Sequence, residues 1–151
     1  NLSLPVDEYL EHEEYSKNYT AVWADTLGKD GQKMRVVTTH FPVTVQGEST
    51  SHQLEILAPF FRELDGLREF ALCGDFNAPR GNETFSRIKA KYHDAIPLHY
   101  ITSLDQNLHR VKGLIYMVDG LFLTKGYSAS HVSLEDGVSD HMAIVATIDK
   151  V

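Results

Sequence analysis

The sequence predicts a mixed α/β or α+β layered domain, and three observations carry that expectation. About five runs of strand-forming residues are spread along the chain. Two of the intervals between them hold apolar residues at helical spacing, each behind a capping residue. The 151 residues contain no repeat, low-complexity tract or Pro/Gly-rich linker, and 42% are apolar, so they read as a single domain over 1–151.

In chain order, an acidic opening (Asp7, Glu8, Glu11, Glu13 and Glu14) reads as a solvated helix face or loop. Residues 20–27 (TAVWADTL) and 34–41 (MRVVTTHF) read as strands joined by a Gly-Lys-Asp-Gly turn at 28–31, a plausible hairpin. After a loop at 42–48, Thr50-Ser51-His52-Gln53 has the pattern of a capping box. Leu54, Leu57, Phe61 and Leu64 then share one helical face, which Pro59 should kink or split. The apolar run 69–74 (EFALCG) fits a strand covered on both sides and ends in the Pro/Gly-bearing loop 75–81. Asn82 can cap a helix whose core side carries Phe85, Ile88 and Tyr92. Residues 93–112 lack a period and read as a long loop with a short strand. Strands at 115–124 and 142–148 follow, separated by a turn-rich segment.

The bulk numbers narrow the function classes. No apolar run approaches the roughly 20 residues of a membrane-spanning helix, so no membrane span is expected. A net charge of −7 without a run of Lys or Arg argues against tight nonspecific nucleic-acid binding. It leaves a nuclease open, because a bound cation can supply positive charge at the site. The single cysteine, Cys73, excludes an internal disulfide framework. Its apolar neighbours suggest a buried thiol and a reducing, cytoplasmic setting.

The chemistry gathers at strand ends. In Gly74-Asp75-Phe76-Asn77 the two-residue spacing would send Asp75 and Asn77 to one face of an extended strand. A carboxylate and an amide so placed can meet a hard cation or a phosphate oxygen, or can simply close an Asx turn. Ser139-Asp140-His141 places a carboxylate and an imidazole at the entrance of the last strand. Neighbours on a strand diverge, so His141 needs its orienting carboxylate from elsewhere. Asp119, a carboxylate set among apolar residues and costly unless paired, is the candidate, although beside Gly120 it also fits a bulge.

These residues carry a family resemblance. GDFNAP (74–79), the Asp of MVDGLF (Asp119) and SDHMAIV (139–145) resemble the three C-terminal signatures of the endonuclease/exonuclease/phosphatase, or DNase I-like, superfamily. TTHF (38–41) resembles its upstream Thr-His motif, and the four occur in the family's order from about residue 20 to the C-terminus. The resemblance implies a four-layer α/β sandwich, with two mixed or antiparallel sheets packed face to face and helices outside. It implies a divalent-metal-dependent phosphoesterase that hydrolyses a phosphodiester or phosphomonoester by in-line attack of activated water. His141 would be the general base or transition-state stabiliser, oriented by Asp119. His40 would contact or protonate the scissile phosphate. Asp140 would bind metal, while Asp75 and Asn77 would position water and phosphate and share a second cation. Mg²⁺ or Mn²⁺ suits these oxygen-rich ligands better than zinc.

Arg80 and Arg110 are further candidates for substrate binding, with His109 beside the latter on the rim of a groove. His12, His52, His93, His99 and His131 have no motif around them and read as surface or structural. The family's early Asn and metal-binding Glu motifs are not found, so the resemblance is to the C-terminal portion of the domain, with the N-terminal half absent. The exposed half-sandwich would then invite association. The phosphoester is left open among a nucleic acid, a small phosphodiester and a phospholipid. The competing readings are a non-catalytic binding module on the same fold and a structural domain with coincidental motifs.

Overall fold

A computed structural model describes residues 20–28 and 31–151. The acidic opening and the centre of the first turn lie outside the described residues. The elements run β1 (Ala21–Leu27), β2 (Lys33–His40), α1 (Ser51–Asp65), β3 (Ala71–Asp75), α2 (Glu83–Lys91), β4 (His93–Asp94), β5 (Asp119–Leu123), β6 (Tyr127–Glu135) and β7 (Ala143–Lys150). Five strands form one mixed sheet in the order β1-β2-β3-β5-β4, and β6 pairs with β7 in a second. The β2–β3 pair is parallel, while β1–β2, β3–β5 and β4–β5 are antiparallel.

Strand alternation builds two cores from one sheet. Val37, Leu72 and Phe122 point to one face and pack with Leu57, Phe60 and Leu64 of α1 and Phe85 and Ile88 of α2. Ala71, Leu121 and Leu123, with Met34 and Cys73, point to the other and pack on Tyr127, Leu134, Ile144 and Ile148 of the second sheet. The Tyr127 hydroxyl also accepts the Arg35 amide N–H at 2.9 Å, joining the sheets directly. Helices, first sheet and second sheet are thus stacked in that order, an α/β sandwich that holds, among the described residues, three of the four layers the resemblance implies.

The departures have local causes. Helix α1 runs unbroken through Pro59. Ala58 and Pro59 lie on its exposed face, where water can take the carbonyl bond that the missing N–H leaves. Ile56 and Phe60 carry the buried stripe with Leu57 and Leu64, in place of Leu54 and Phe61, which are only partly buried. The capping box is half formed. Thr50 accepts the Gln53 N–H, but the Gln53 side chain turns inward to the carbonyls of Pro42 and Asn77 and to the Thr84 hydroxyl. Its complete burial is tolerable because these partners satisfy both ends of the amide. The strand expected at 115–124 begins only at Asp119, and the turn-rich stretch before the last strand contains β6. A bulge between Ser130 and Ser133, with His131 at φ 52°, breaks the alternation that would have marked β6.

Candidate functional site

Register places the polar residues. His40 pairs with Asp75 across β2–β3, and Asp75 pairs with Asp119 across β3–β5. The three form one row at the strand ends, on the face that farther along the strands packs against the second sheet. Two glycines precede the acids in the ladder, Gly74 opposite Gly120. Gly74 has φ 146°, and a Cβ there would lie 2.0 Å from the Thr39 carbonyl oxygen. Only glycine lets β2 and β3 approach this closely beside the site.

His141 closes onto the row from the chain that enters β7. Its Nδ1 lies 2.7 Å from Asp119 Oδ2. A carboxylate can only accept, so a proton sits on Nδ1 and Nε2 is the nitrogen turned toward Asp75. That Nε2 is 4.0 Å from Asp75 Oδ2, and His40 Nε2 is 3.5 Å from the same oxygen. Asp75 therefore stands between two imidazoles, with a second carboxylate behind it. Burial raises the Asp75 pKa first, and the Asp119 charge raises it further, against the lowering effects of the Asn77 N–H and the two histidines. The hydrogen bond that its Nδ1–H donates to Asp119 pushes the His141 pKa up to about 9.

Two residues that the sequence reading passed over hold this geometry. The buried Ser103 hydroxyl accepts the N–H groups of Val118 and Asp119, both at 3.1 Å, and fixes the backbone that carries Asp119. The buried Asp105 carboxylate accepts N–H groups from Asn107, Leu108 and Gly137. These bonds, the Gly137 one foremost, keep its pKa below the ordinary value. Asp105 and the Leu104–His141 bridge thereby tie the 105–109 loop to the chain entering β7. Ser103 and Asp105 sit in an aperiodic stretch, and nothing in the sequence marks them beyond being small polar residues near Asp119.

The remaining candidates are placed differently. Asn77 does not extend the strand: at φ 47° its side chain donates to the Phe41 carbonyl at 2.8 Å, and its N–H goes to Asp75 Oδ1 at 2.8 Å. This is the Asx turn, and the left-handed residue breaks the alternation that would have set both side chains on one face. Arg80 is spent on the fold. It is paired with the buried Asp94 at 3.2 Å and donates to the carbonyls of Ile96 and Tyr100, contacts that occupy its guanidinium within the fold. Asp140 is exposed beside His141, outside the convergent group. Arg110 is exposed on the loop whose His109 ring lies 6.3 Å from the His141 ring. The His99 ring lies 4.3 Å from that of Tyr100 and is tilted 39° to it.

Among the described residues, Asp75, Asp119 and His141 offer ligand atoms that all lie within 4.8 Å of one another. Two carboxylates directly opposed on a sheet repel unless a cation or proton intervenes. The donor set fits a hard divalent ion, with oxygens leading and one imidazole.

Fold and site define an α/β sandwich with a carboxylate–imidazole centre at the strand ends. This is the fold of the endonuclease/exonuclease/phosphatase, DNase I-like superfamily. The chain superposes on an endonuclease/exonuclease/phosphatase from Beutenbergia cavernae with a TM-score of 0.68 at 14% identity, covering 97% of this chain and 43% of that one. On the corresponding protein from Bacteroides vulgatus the TM-score is 0.63 at 20% identity, covering 89% and 57%. On Staphylococcus aureus beta toxin with bound magnesium ions it is 0.59 at 15% identity, covering 88% and 59%. The chain thus spans between 43% and 59% of the length of these structures. No family model and no curated protein matches the sequence.

Proposed function

We propose that this chain carries the hydrolytic end of a divalent-metal-dependent phosphoesterase. The observation that carries the reading is the in-register row His40–Asp75–Asp119 with His141 closing on it through Asp119. A phosphoester's hydrolysis needs a proton taken from water, charge neutralised on the phosphoryl oxygens and a leaving oxygen protonated. In this reading the neutral fraction of His141 takes the proton of the attacking water at Nε2, so turnover rises toward pH 9, and Asp119 at Nδ1 stabilises the imidazolium that results. The exposed His40 imidazole reaches the same Asp75 oxygen as His141 and can donate to a phosphate oxygen brought there. Asn77 holds the Asp75 carboxylate through its backbone N–H. Asp75 and Asp119 are the carboxylates that would hold Mg²⁺ or Mn²⁺, which when bound supplies positive charge against the phosphoester oxygens. Asp140, one residue from His141, remains a candidate to complete such a shell. The magnesium ions of beta toxin support the choice of metal.

The test is hydrolysis of a soluble phosphodiester and a phosphomonoester reporter with Mn²⁺, alongside Mn²⁺-induced broadening of the His141 resonances. The expected result is metal-dependent turnover that falls at least about a hundredfold in His141→Ala. Turnover unchanged in His141→Ala would overturn the assignment, as would the absence of any Mn²⁺ effect on the His141 resonances.

A further inference from the structure

The loop that brings His109 up to His141 carries exposed cations and exposed apolar side chains together. Between Asp105 and Asp119 there is no acidic residue, yet Arg110 and Lys112 both occur there, in a protein whose net charge is −7. Both cations are exposed. Interleaved with them, Leu108 is 51% exposed, Val111 49% and Ile115 45%. The Asp105 carboxylate does not offset this charge at the surface, being buried and turned onto three backbone N–H groups.

The loop is also built to hold its shape. The His109 N–H closes a turn on the Asp105 carbonyl at 2.8 Å. Gln106 donates across the loop to the Leu104 and Leu114 carbonyls, and Lys112 to that of Asn107. Apolar side chains are therefore held in water by a braced backbone beside the candidate site. The acidic turn with exposed Glu135, Asp136 and Asp140 adjoins the base of the loop through Gly137, away in sequence from the 108–115 segment that carries the cations.

We propose that the 106–115 loop docks on an anionic phospholipid surface, and that the phosphoester presented to the site is a lipid head group. The second clause rests on the hydrolytic reading above; the first does not. Cations attract the anionic surface while leucine, valine and isoleucine enter the boundary between head group and acyl chain. A nucleic-acid backbone would satisfy Arg110 and Lys112 but would leave the three apolar side chains in water, so lipid is favoured.

Co-sedimentation of the full chain in a chelating buffer tests the docking without hydrolysis. One set of vesicles is phosphatidylcholine alone, and the other is equal parts phosphatidylcholine and phosphatidylserine. The chain should bind the mixed vesicles in preference. Arg110→Gln with Lys112→Gln should weaken this about thirtyfold, and Leu108→Ser with Val111→Ser at least about tenfold. The serine pair should leave turnover of the soluble reporter unchanged while lowering turnover of vesicle-borne phospholipid. Circular dichroism shows that both variants are folded. Failure to bind mixed vesicles, or equal binding by all variants, overturns the docking surface. So does binding to duplex DNA in preference to vesicles, unaffected by the serine pair. Vesicle binding in a chain whose soluble turnover is indifferent to His141→Ala keeps the docking surface and removes only the catalytic reading.

Discussion

Asp75 and Asp119 face each other as a direct cross-strand pair on β3 and β5, two carboxylates sharing one face of the sheet. Such opposition is unfavourable in isolation. In the metal-free protein Asp75→Asn should therefore stabilise, by about 0.5–1 kcal/mol, since an amide oxygen can still accept the Asn77 N–H. The same variant should lose the rise in melting temperature that Mg²⁺ or Mn²⁺ gives the parent protein. A destabilised Asp75→Asn in chelator would show that the pair is not a liability awaiting a cation.

The raised pKa of Asp75 sets the sign of a pH effect. Its folded value lies above the ordinary 3.8, so its contribution to stability is complete below that pH and disappears as pH rises through the folded value. Urea denaturation in chelator should show the parent losing stability over that interval relative to Asp75→Asn, in which the effect is absent.

His141 behaves in the same sense at higher pH. Held up to about 9 by Asp119, it contributes stability fully below the ordinary 6.5, a contribution lost as pH climbs through about 9. A metal-free NMR titration of the His141 ring should show its midpoint near the upper value and a fall in Asp119→Asn. A midpoint unmoved by Asp119→Asn would break the link between the 2.7 Å contact and the shift.

Much of this site was legible before the fold. Asp119 sits among apolar residues that make an unpaired carboxylate costly, and His141 lacks a partner on its own strand, so the two were paired from chemistry alone. What escaped depended on backbone turning away from its regular path. Asn77 adopts φ 47°, and a period-two argument fails at that residue. Arg80 finds its acceptors on the aperiodic 94–100 segment, which no pattern could place beneath it. Strand β6 is serine-rich and bulged, so it carried neither alternation nor apolar density.

Arg80→Met should test its role within the fold. Breaking the ion pair with the buried Asp94 should cost about 3–5 kcal/mol, read as a fall in the urea midpoint. Folded Arg80→Met protein at low temperature should retain its KM for a soluble reporter. A raised KM without loss of stability would restore Arg80 to substrate binding.

Ser103→Ala removes the acceptor for two adjacent N–H groups that lead into β5 and should destabilise by about 2 kcal/mol. The Asp119–His141 coupling should weaken with it, visible as a lower His141 midpoint in the same titration. An unchanged midpoint in a destabilised Ser103→Ala would confine Ser103 to the fold.

The row His40–Asp75–Asp119 is assembled by three strands that are far apart in the chain, and the ladders alone align its members. A one-residue insertion inside β3 or β5 would turn a carboxylate toward the phenylalanines beneath α1 and α2 and leave its neighbours facing an aliphatic side chain. Chain length is therefore rigidly counted within the strands and free to vary between them. Changes of length or composition in the 42–50 and 97–115 connections can reshape the surroundings of the row while the ladders keep the spacing of its members.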